Sequence, residues 1–353
     1  MTSKERILAV LARQPVDRIP VDIWHTGEVF QALADYTGLH DEKDIYRQLG
    51  LDKIIWFGPT YKGPVRPAGN EEETTNCWGI RFRAVQAGQA EYSEFLENPL
   101  ASYETPESLE EYPWWPDPEQ FDLDAMVRDA ERGGEEFATM GPWVSFFEIY
   151  CWMRGLENAM MDVVLNPVLV DAALDRIEAI QTEMLHRFLS RAKDKVSLVF
   201  ISDDMGGQNG LLISLKMWKQ FIEPRLKRWC RLVHSYGVKV FYHSDGSIEP
   251  LIPHLIEAGI DVLNPIQHVC PGMEMPLLKQ KYGDRLIFHG GVDNQSVLPF
   301  GTPAQVRAET EACIEALGPD GFICCSCHNV QAGTPIENIL AMIQTVAISQ
   351  EMG

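Results

Sequence analysis

The hydrophobic pattern is clearest in the second half of the chain. Five short apolar runs stand there: "SLVFISDD" (197–204), "VKVFYHSD" (238–245), "IDVLNPIQ" (260–267), "RLIFHGGVD" (285–293) and "GFICCSCH" (321–328). Each is partly β-branched, and each breaks into polar or glycine residues at its C-terminal end. Runs of this length read as buried strands. Helical spacing lies between them, over Leu215 to Tyr236, Ile248 to Ala258 and Thr302 to Leu317. Thr302 is placed to cap the third of these, with Pro303 at its first position, and Thr334-Pro335 opens the last helix in the same way. Strands alternating with helices predict parallel βα units.

The first half adds "IPVDIW" (19–24), "DKIIWFG" (52–58) and "FATMGPWV" (137–144). Eight strands in an α/β pattern predict a (β/α)8 TIM barrel. The rival, a doubly wound open sheet, lacks support: no G-x-G-x-x-G follows a strand and no P-loop is present. The amphipathic opening "MTSKERILAVLARQPVDRIP" predicts an N-terminal helical extension. Residues 60–135 break the βα rhythm and carry the aromatic "YPWWPDPEQFD", which predicts an insertion covering one barrel mouth within a single domain over 1–353.

Composition narrows the function. The 353 residues are 45% hydrophobic and carry a formal charge of −21. An acidic surface opposes nucleic acid and anionic membranes. No apolar run approaches the ~20 residues of a bilayer span, and no signal-peptide core opens the chain. The expectation is a cytoplasmic protein handling small molecules. Eight cysteines in such a chain predict free thiols rather than a disulfide framework.

In α/β barrels the chemistry sits at the C-terminal ends of the strands. Five of the nine histidines fall there: His25, His243, His268, His289 and His328. Asp203, Asp204, Asp245 and Asp293 also end strands, and Glu148 follows one. For each carboxylate a helix cap or loop hydrogen bond competes with a chemical role. Asp203–Asp204 favours function, because two adjacent acids ending a buried strand are costly unless used. In "CCSCH" (324–328), strand alternation forbids all three cysteines from facing one site. Cys325, Cys327 and His328 are candidate metal ligands, and Cys324 is expected to pack.

"YHSDGSIEPLIPHLIEAGIDVLNPIQ", "FHGGVDNQSVLPFGTP", "CHNVQAGTPIENILAMI" and "ISDDMGGQNGLLISLKMWKQFIEPRLKRW" resemble the uroporphyrinogen decarboxylase superfamily, which also holds cobalamin-dependent methyltransferases. The resemblance runs through most of the chain and implies a barrel with its site at the C-terminal mouth. The decarboxylase carries an arginine-rich loop after its first strand. Here Val21 to Phe30 holds no arginine, so the likeness favours the methyltransferase branch. That branch binds zinc through His-x-Cys and a later Cys. The matching positions read His243-Ser244-Asp245 and His328, with Cys327 one residue before.

The resemblance therefore implies methyl transfer between a small donor (a methoxylated aromatic or similar), a corrinoid and an acceptor. Cobalamin would come on a partner corrinoid protein, zinc would sit at His243, Asp245, Cys327 and His328, and a homodimer is expected. His243, Asp245, His328, Asp204 and Glu148 are the candidate catalytic residues. His25, Trp143, Gln208, Asn264, Gln267 and His289 are the candidate substrate-binding residues. Two alternatives stand beside this: a decarboxylase of a tetrapyrrole or other carboxylic acid, and a non-catalytic corrinoid- or ligand-binding barrel.

Overall fold

The computed structural model describes residues 1–88 and 90–348. Seven parallel strands form one sheet in the order Ile54–Trp56, Ala138–Val144, Leu198–Ser202, Lys239–His243, Val262–Asn264, Ile287–Val292 and Phe322–Ser326. Each falls within one of the apolar runs above. The eighth run, 19–24, closes the ring without a regular ladder. On one side Asp22 N donates to Cys324 O at 2.8 Å, Cys324 N to Pro20 O at 2.9 Å and Val330 N to Trp24 O at 2.7 Å. On the other side Asp52 N donates to Val21 O at 2.7 Å. Carboxylates then take over the ladder: Asp52 Oδ2 accepts from Val21 N at 3.1 Å, and Asp22 Oδ1 from Ile54 N at 3.3 Å. The expected α/β barrel is the fold.

Strand alternation sorts the apolar side chains into two layers. Phe200, Phe241, Ile287, Ile323 and Cys325 fill the barrel. Val199, Val240, Tyr242, Phe288 and Cys324 face the helices. The N-terminal helix, Ser3–Leu11, plugs the lower end. It opens with a capping box between Thr2 and Glu5, and its Ile7, Val10 and Leu11 pack under Ile54, Ala138, Leu198 and Val262.

Three sequence expectations shift in detail. Leu215 to Tyr236 forms two helices, Leu215–Phe221 and Glu223–Ser235. They part at Ile222 because Pro224 has no amide to continue the ladder. Ile248 to Ala258 begins as a 3-10 turn over Glu249–Leu251 before the helix Ile252–Ala258. The last helix starts at Ile336, with Pro335 O accepting from Asn338 N at 3.0 Å. Thr302 and Pro303 open Pro303–Leu317 as the pattern predicts.

Within 60–135 lies a three-stranded antiparallel sheet of Glu73–Thr75, Arg81–Ala87 and Ala90–Phe95. It stands beside segments that leave the upper ends of the strands. Glu91 N donates to Glu28 Oε1 at 3.0 Å, Tyr92 OH to Gln331 Oε1 at 3.4 Å, and the Phe95 ring lies 5.6 Å from Trp152. The helix Leu123–Gly133, by contrast, packs on the Ala138–Val144 strand as an ordinary barrel helix. The extra segment therefore ends near residue 122. Among the described residues no helix is long and apolar enough to cross a membrane.

Ile7→Ala should lower stability by about 2–4 kcal/mol through the cavity it leaves in the lower plug. Urea unfolding measures the loss, and ligand binding at the opposite end should be retained in native buffer.

Candidate functional site

Ligand atoms of His243, Asp245 and His328 converge at the upper mouth, all within 4.8 Å of one another. His243 is the last residue of its strand and shares the inward parity of Phe241. Asp245 lies two residues on, in a turn that Gly246 makes possible at φ +83°. A β-carbon on Gly246 would meet Gly206 C at 2.6 Å, because the 205–207 segment lies directly against this turn. His328 Nε2 lies 3.9 Å from Asp245 Oδ2, and His243 Nε2 lies 3.7 Å from Asp204 Oδ1. Asp204 also accepts from Asp245 N at 2.9 Å. His243 is buried, while Asp204, Asp245 and His328 keep partial exposure, so the set opens to solvent on one side.

A chain of buried hydrogen bonds fixes the His243 ring. Its Nδ1 lies 2.6 Å from Asn264 Oδ1; Asn264 Nδ2 lies 2.8 Å from His289 Nδ1; His289 Nε2 lies 3.1 Å from Asp22 Oδ2. The Asp22 carboxylate can only accept, so His289 carries its proton on Nε2 and accepts at Nδ1. Asn264 then turns its amide nitrogen to His289 and its oxygen to His243. His243 is left with its proton on Nδ1 and a lone pair on Nε2, facing the mouth. That is the form in which an imidazole binds a metal or takes a proton.

The electrostatics of the mouth favour a bound cation. Burial pushes the Asp245 carboxyl up, assisted by Asp204 and opposed by His243 and His328. Burial pushes the His328 imidazole down against the pull of Asp245. Glu148, in the first turn of the helix Phe147–Arg154, accepts from Ser202 Oγ at 2.9 Å. Burial, then the charges of Asp204 and Asp203, push its carboxyl up to about 8. It is mostly protonated at neutral pH. Imidazoles and carboxylates crowded together are the donor types a zinc ion takes.

Several expected site residues sit elsewhere. The inward alternation of Cys325 does not extend to Cys327, because the strand ends at Ser326, whose Oγ bonds His328 O at 2.7 Å and turns the chain. The Cys327 thiol donates to Ile266 O at 3.3 Å and is absent from the ligand cluster. Cys325 lies lower in the barrel, beside Asp22 and His289. Asp203 is a structural cap: its Oδ1 accepts from Ser145 Oγ, Phe147 N and Glu148 N at 2.7–2.9 Å. Asp293 likewise holds its own turn, accepting from Gln295 N at 2.8 Å.

Asn264, Gln267 and His289 are buried and hydrogen-bonded to their neighbours. Gln267 Oε1 accepts from Gly246 N at 2.8 Å and so steadies the turn that carries Asp245. His25 faces away from the barrel interior, with Nε2 2.7 Å from Tyr46 OH. Gln208 is exposed at the tip of the 206–211 hairpin. Trp143 does reach the mouth side, because a register shift between Met140 and Trp143 turns it inward, where it stacks on Trp152 at 5.5 Å. Trp24, Trp56 and Phe200 form an aromatic floor; Trp24 lies 5.7 Å from the His243 ring. Sequence reasoning missed Asp22 and Lys53. An acid interrupting the apolar run "IPVDIW" was the available signal.

Residues 85–348 match the family model described as uroporphyrinogen decarboxylase (URO-D). The chain belongs to the uroporphyrinogen decarboxylase family. A curated relative, the methylated-thiol–coenzyme M methyltransferase of Methanosarcina mazei, is 25% identical over 174 residues, 46% of this chain. The match spans 44% of that relative's length. A solved structure of a methyltransferase from Methanosarcina mazei superposes with a TM-score of 0.67 at 18% identity, covering 98% of both chains. It has the same fold as this family member.

Glu148 sets a pH dependence. In the unfolded chain its carboxyl loses the proton near 4.5, and in the folded protein near 8. Between these values the folded state holds a proton the unfolded state has lost, so this group's contribution to stability falls as pH rises. Glu148→Gln removes the effect. In chelator-treated protein, the variant should match the wild type at pH 4 and exceed it at pH 9 by roughly 1–3 kcal/mol. Urea unfolding at the two pH values tests this; a gap that shrinks with rising pH contradicts it.

Proposed function

We propose that this chain is a methyltransferase that moves a methyl group from a small methyl ether to a corrinoid carried by a separate protein. The convergence of His243, Asp245 and His328 at the barrel mouth carries this reading. We assign these three residues as ligands to one zinc ion, with the fourth position left for substrate. When bound, the zinc would act as a Lewis acid toward an oxygen of the substrate.

The chain's own residues supply the rest. Asn264 holds the His243 lone pair toward the mouth, and Gln267 steadies the turn of Asp245. Trp24, Trp56 and Phe200 offer flat apolar walls to an aromatic donor. Glu148 is protonated at neutral pH and is the proton donor of the site. As the carbon–oxygen bond breaks, the methyl group passes to the reduced corrinoid, the oxygen keeps the bonding electrons, and the Glu148 proton neutralises it as an alcohol.

The same mouth suits a polycarboxylate poorly. Such a substrate calls for arginine forks, whereas Asp204, Asp245 and Glu148 offer three carboxyl groups. Carbon dioxide release from uroporphyrinogen should therefore be undetectable.

Elemental analysis of fresh protein should find one zinc per chain, lost in both His243→Ala and His328→Ala. Zinc-free protein, or full zinc in both variants, contradicts the ligand assignment. Methylation of reduced cobalamin by an aryl methyl ether, followed by absorbance, should fall about 100-fold or more in His243→Ala while circular dichroism is retained. Unchanged turnover in that variant rejects the mechanism.

A further inference from the structure

The barrel wall parts at one seam. Between the 19–24 run and the Ile54–Trp56 strand, the uppermost tie is Ile54 N to Asp22 Oδ1 at 3.3 Å. Above it the two backbones turn to their other neighbours. Trp24 O accepts from Val330 N at 2.7 Å, and Phe57 N donates to Met140 O at 3.1 Å. A cavity of about 290 Å³ occupies the parting. Trp24 faces the barrel interior, and Trp56 meets it there with ring centroids 4.5 Å apart. Ile23, His25, Lys53 and Ile55 alternate to the outer side. All six line this one cavity, so it crosses the wall instead of lying on one side of it.

The inner end of the cavity adjoins the site. The Trp24 ring lies 5.7 Å from that of His243 and 6.5 Å from that of His328, and Asn329, the residue after His328, is part of the lining. The outer end meets a second cavity of about 440 Å³, with Glu42, Ile55 and Trp56 lining both. This second cavity reaches the surface at Arg132, whose side chain is 75% exposed.

We propose that the seam is a side entrance, through which the small methyl donor reaches the ligand cluster and its demethylated product leaves. The inference rests on the methyl-transfer reading above. In that reading the corrinoid arrives on a separate protein, and a protein docked over the mouth closes that route to anything else. A passage through the wall frees donor and product from the order in which the corrinoid comes and goes. The lining suits an uncharged molecule. Lys53 Nζ is taken by Ile54 O at 2.9 Å and Asp22 Oδ1 at 3.2 Å, and Glu42 accepts from Tyr46 OH. These charges are engaged within the chain, while Trp24, Trp56, Ile23 and Ile55 offer apolar surface. An ion would shed its water there without gaining a free partner, whereas a neutral ether has little hydration to lose.

Ile55 lines both cavities and lies outside the ligand cluster, so it is the place to narrow or widen the route. Binding of methoxybenzene to the full chain, followed by tryptophan fluorescence in stopped flow, reads entry directly. In Ile55→Trp the association and dissociation rate constants should both fall, roughly tenfold or more, with Kd nearly unchanged, because a passage alters the barrier and not the bound state. Ile55→Ala should raise both. Zinc content and the KM for free cobalamin, which enters at the mouth, should keep wild-type values in both variants. Rate constants that neither substitution moves overturn the proposal. So does a change confined to Kd, which makes Ile55 a binding surface only, and so does a wild type that does not bind methoxybenzene. If binding is gated at Ile55 but methoxybenzene never methylates reduced cobalamin, the entrance for a small neutral ligand stands and the ether chemistry falls.

Discussion

One buried carboxylate, Asp22, holds together both the barrel and its mouth. Its Oδ1 takes Ile23 N at 2.8 Å, Ile54 N at 3.3 Å and Lys53 Nζ at 3.2 Å. Its Oδ2 takes Trp24 Nε1 at 3.2 Å and His289 Nε2 at 3.1 Å. Burial by itself would push this carboxyl up. The Lys53 charge, the His289 bond and the Ile23 amide outweigh it and hold Asp22 below the usual range. A bare carboxylate in such a place is very costly, and five converging donors offset the desolvation. The 19–24 run meets the Ile54–Trp56 strand through this group and through Asp52, where a regular ladder would otherwise stand. Barrel closure therefore depends on charge as well as on backbone pairing.

The same group fixes chemistry at the mouth. Asp22 dictates which nitrogen of His289 bears the proton. His289 in turn dictates the orientation of the Asn264 amide, and Asn264 dictates the tautomer of His243. Burial keeps the His289 imidazole pushed down despite its acidic neighbour, so the relay contains a neutral ring. Closure and the orientation of the His243 ring are thus one polar network, buried throughout in the barrel interior. A fully satisfied network of this kind specifies one arrangement, because any flipped member leaves a buried donor or acceptor unpaired.

The seven strands and the run that closes the ring were legible because a segment covered on both faces must be apolar for several residues and must then stop. His243, Asp245 and His328 were legible because they follow such stops and because a family likeness aligned them. The supporting residues were harder to read. Asn264, Gln267 and His289 lie at or just past strand ends, and only the three-dimensional packing shows that they are buried and bonded to neighbouring groups. Cys327 was misread because parity was carried one residue past the end of the strand. Asp203 was misread because its partners, the amides of 146–148, lie more than fifty positions away in the chain. Asp22 escaped notice because its partners, Lys53 and His289, are equally remote in sequence.

The donor set gives the mouth its chemical character. A thiolate is a soft, strongly electron-releasing ligand, and a carboxylate is a harder one. In the proposed reading, a cation held by the two imidazoles of His243 and His328 and the carboxylate of Asp245 would keep more of its positive charge than one held by thiolates. That charge suits a hard oxygen better than a sulfur. Glu148 fits the same preference. Its carboxyl is kept protonated by burial and by Asp204, and a proton is useful where an oxygen must leave. In the proposed reading, the carboxylate at Asp245 and the raised pKa of Glu148 serve one purpose, cleaving an ether donor rather than activating a thiol acceptor.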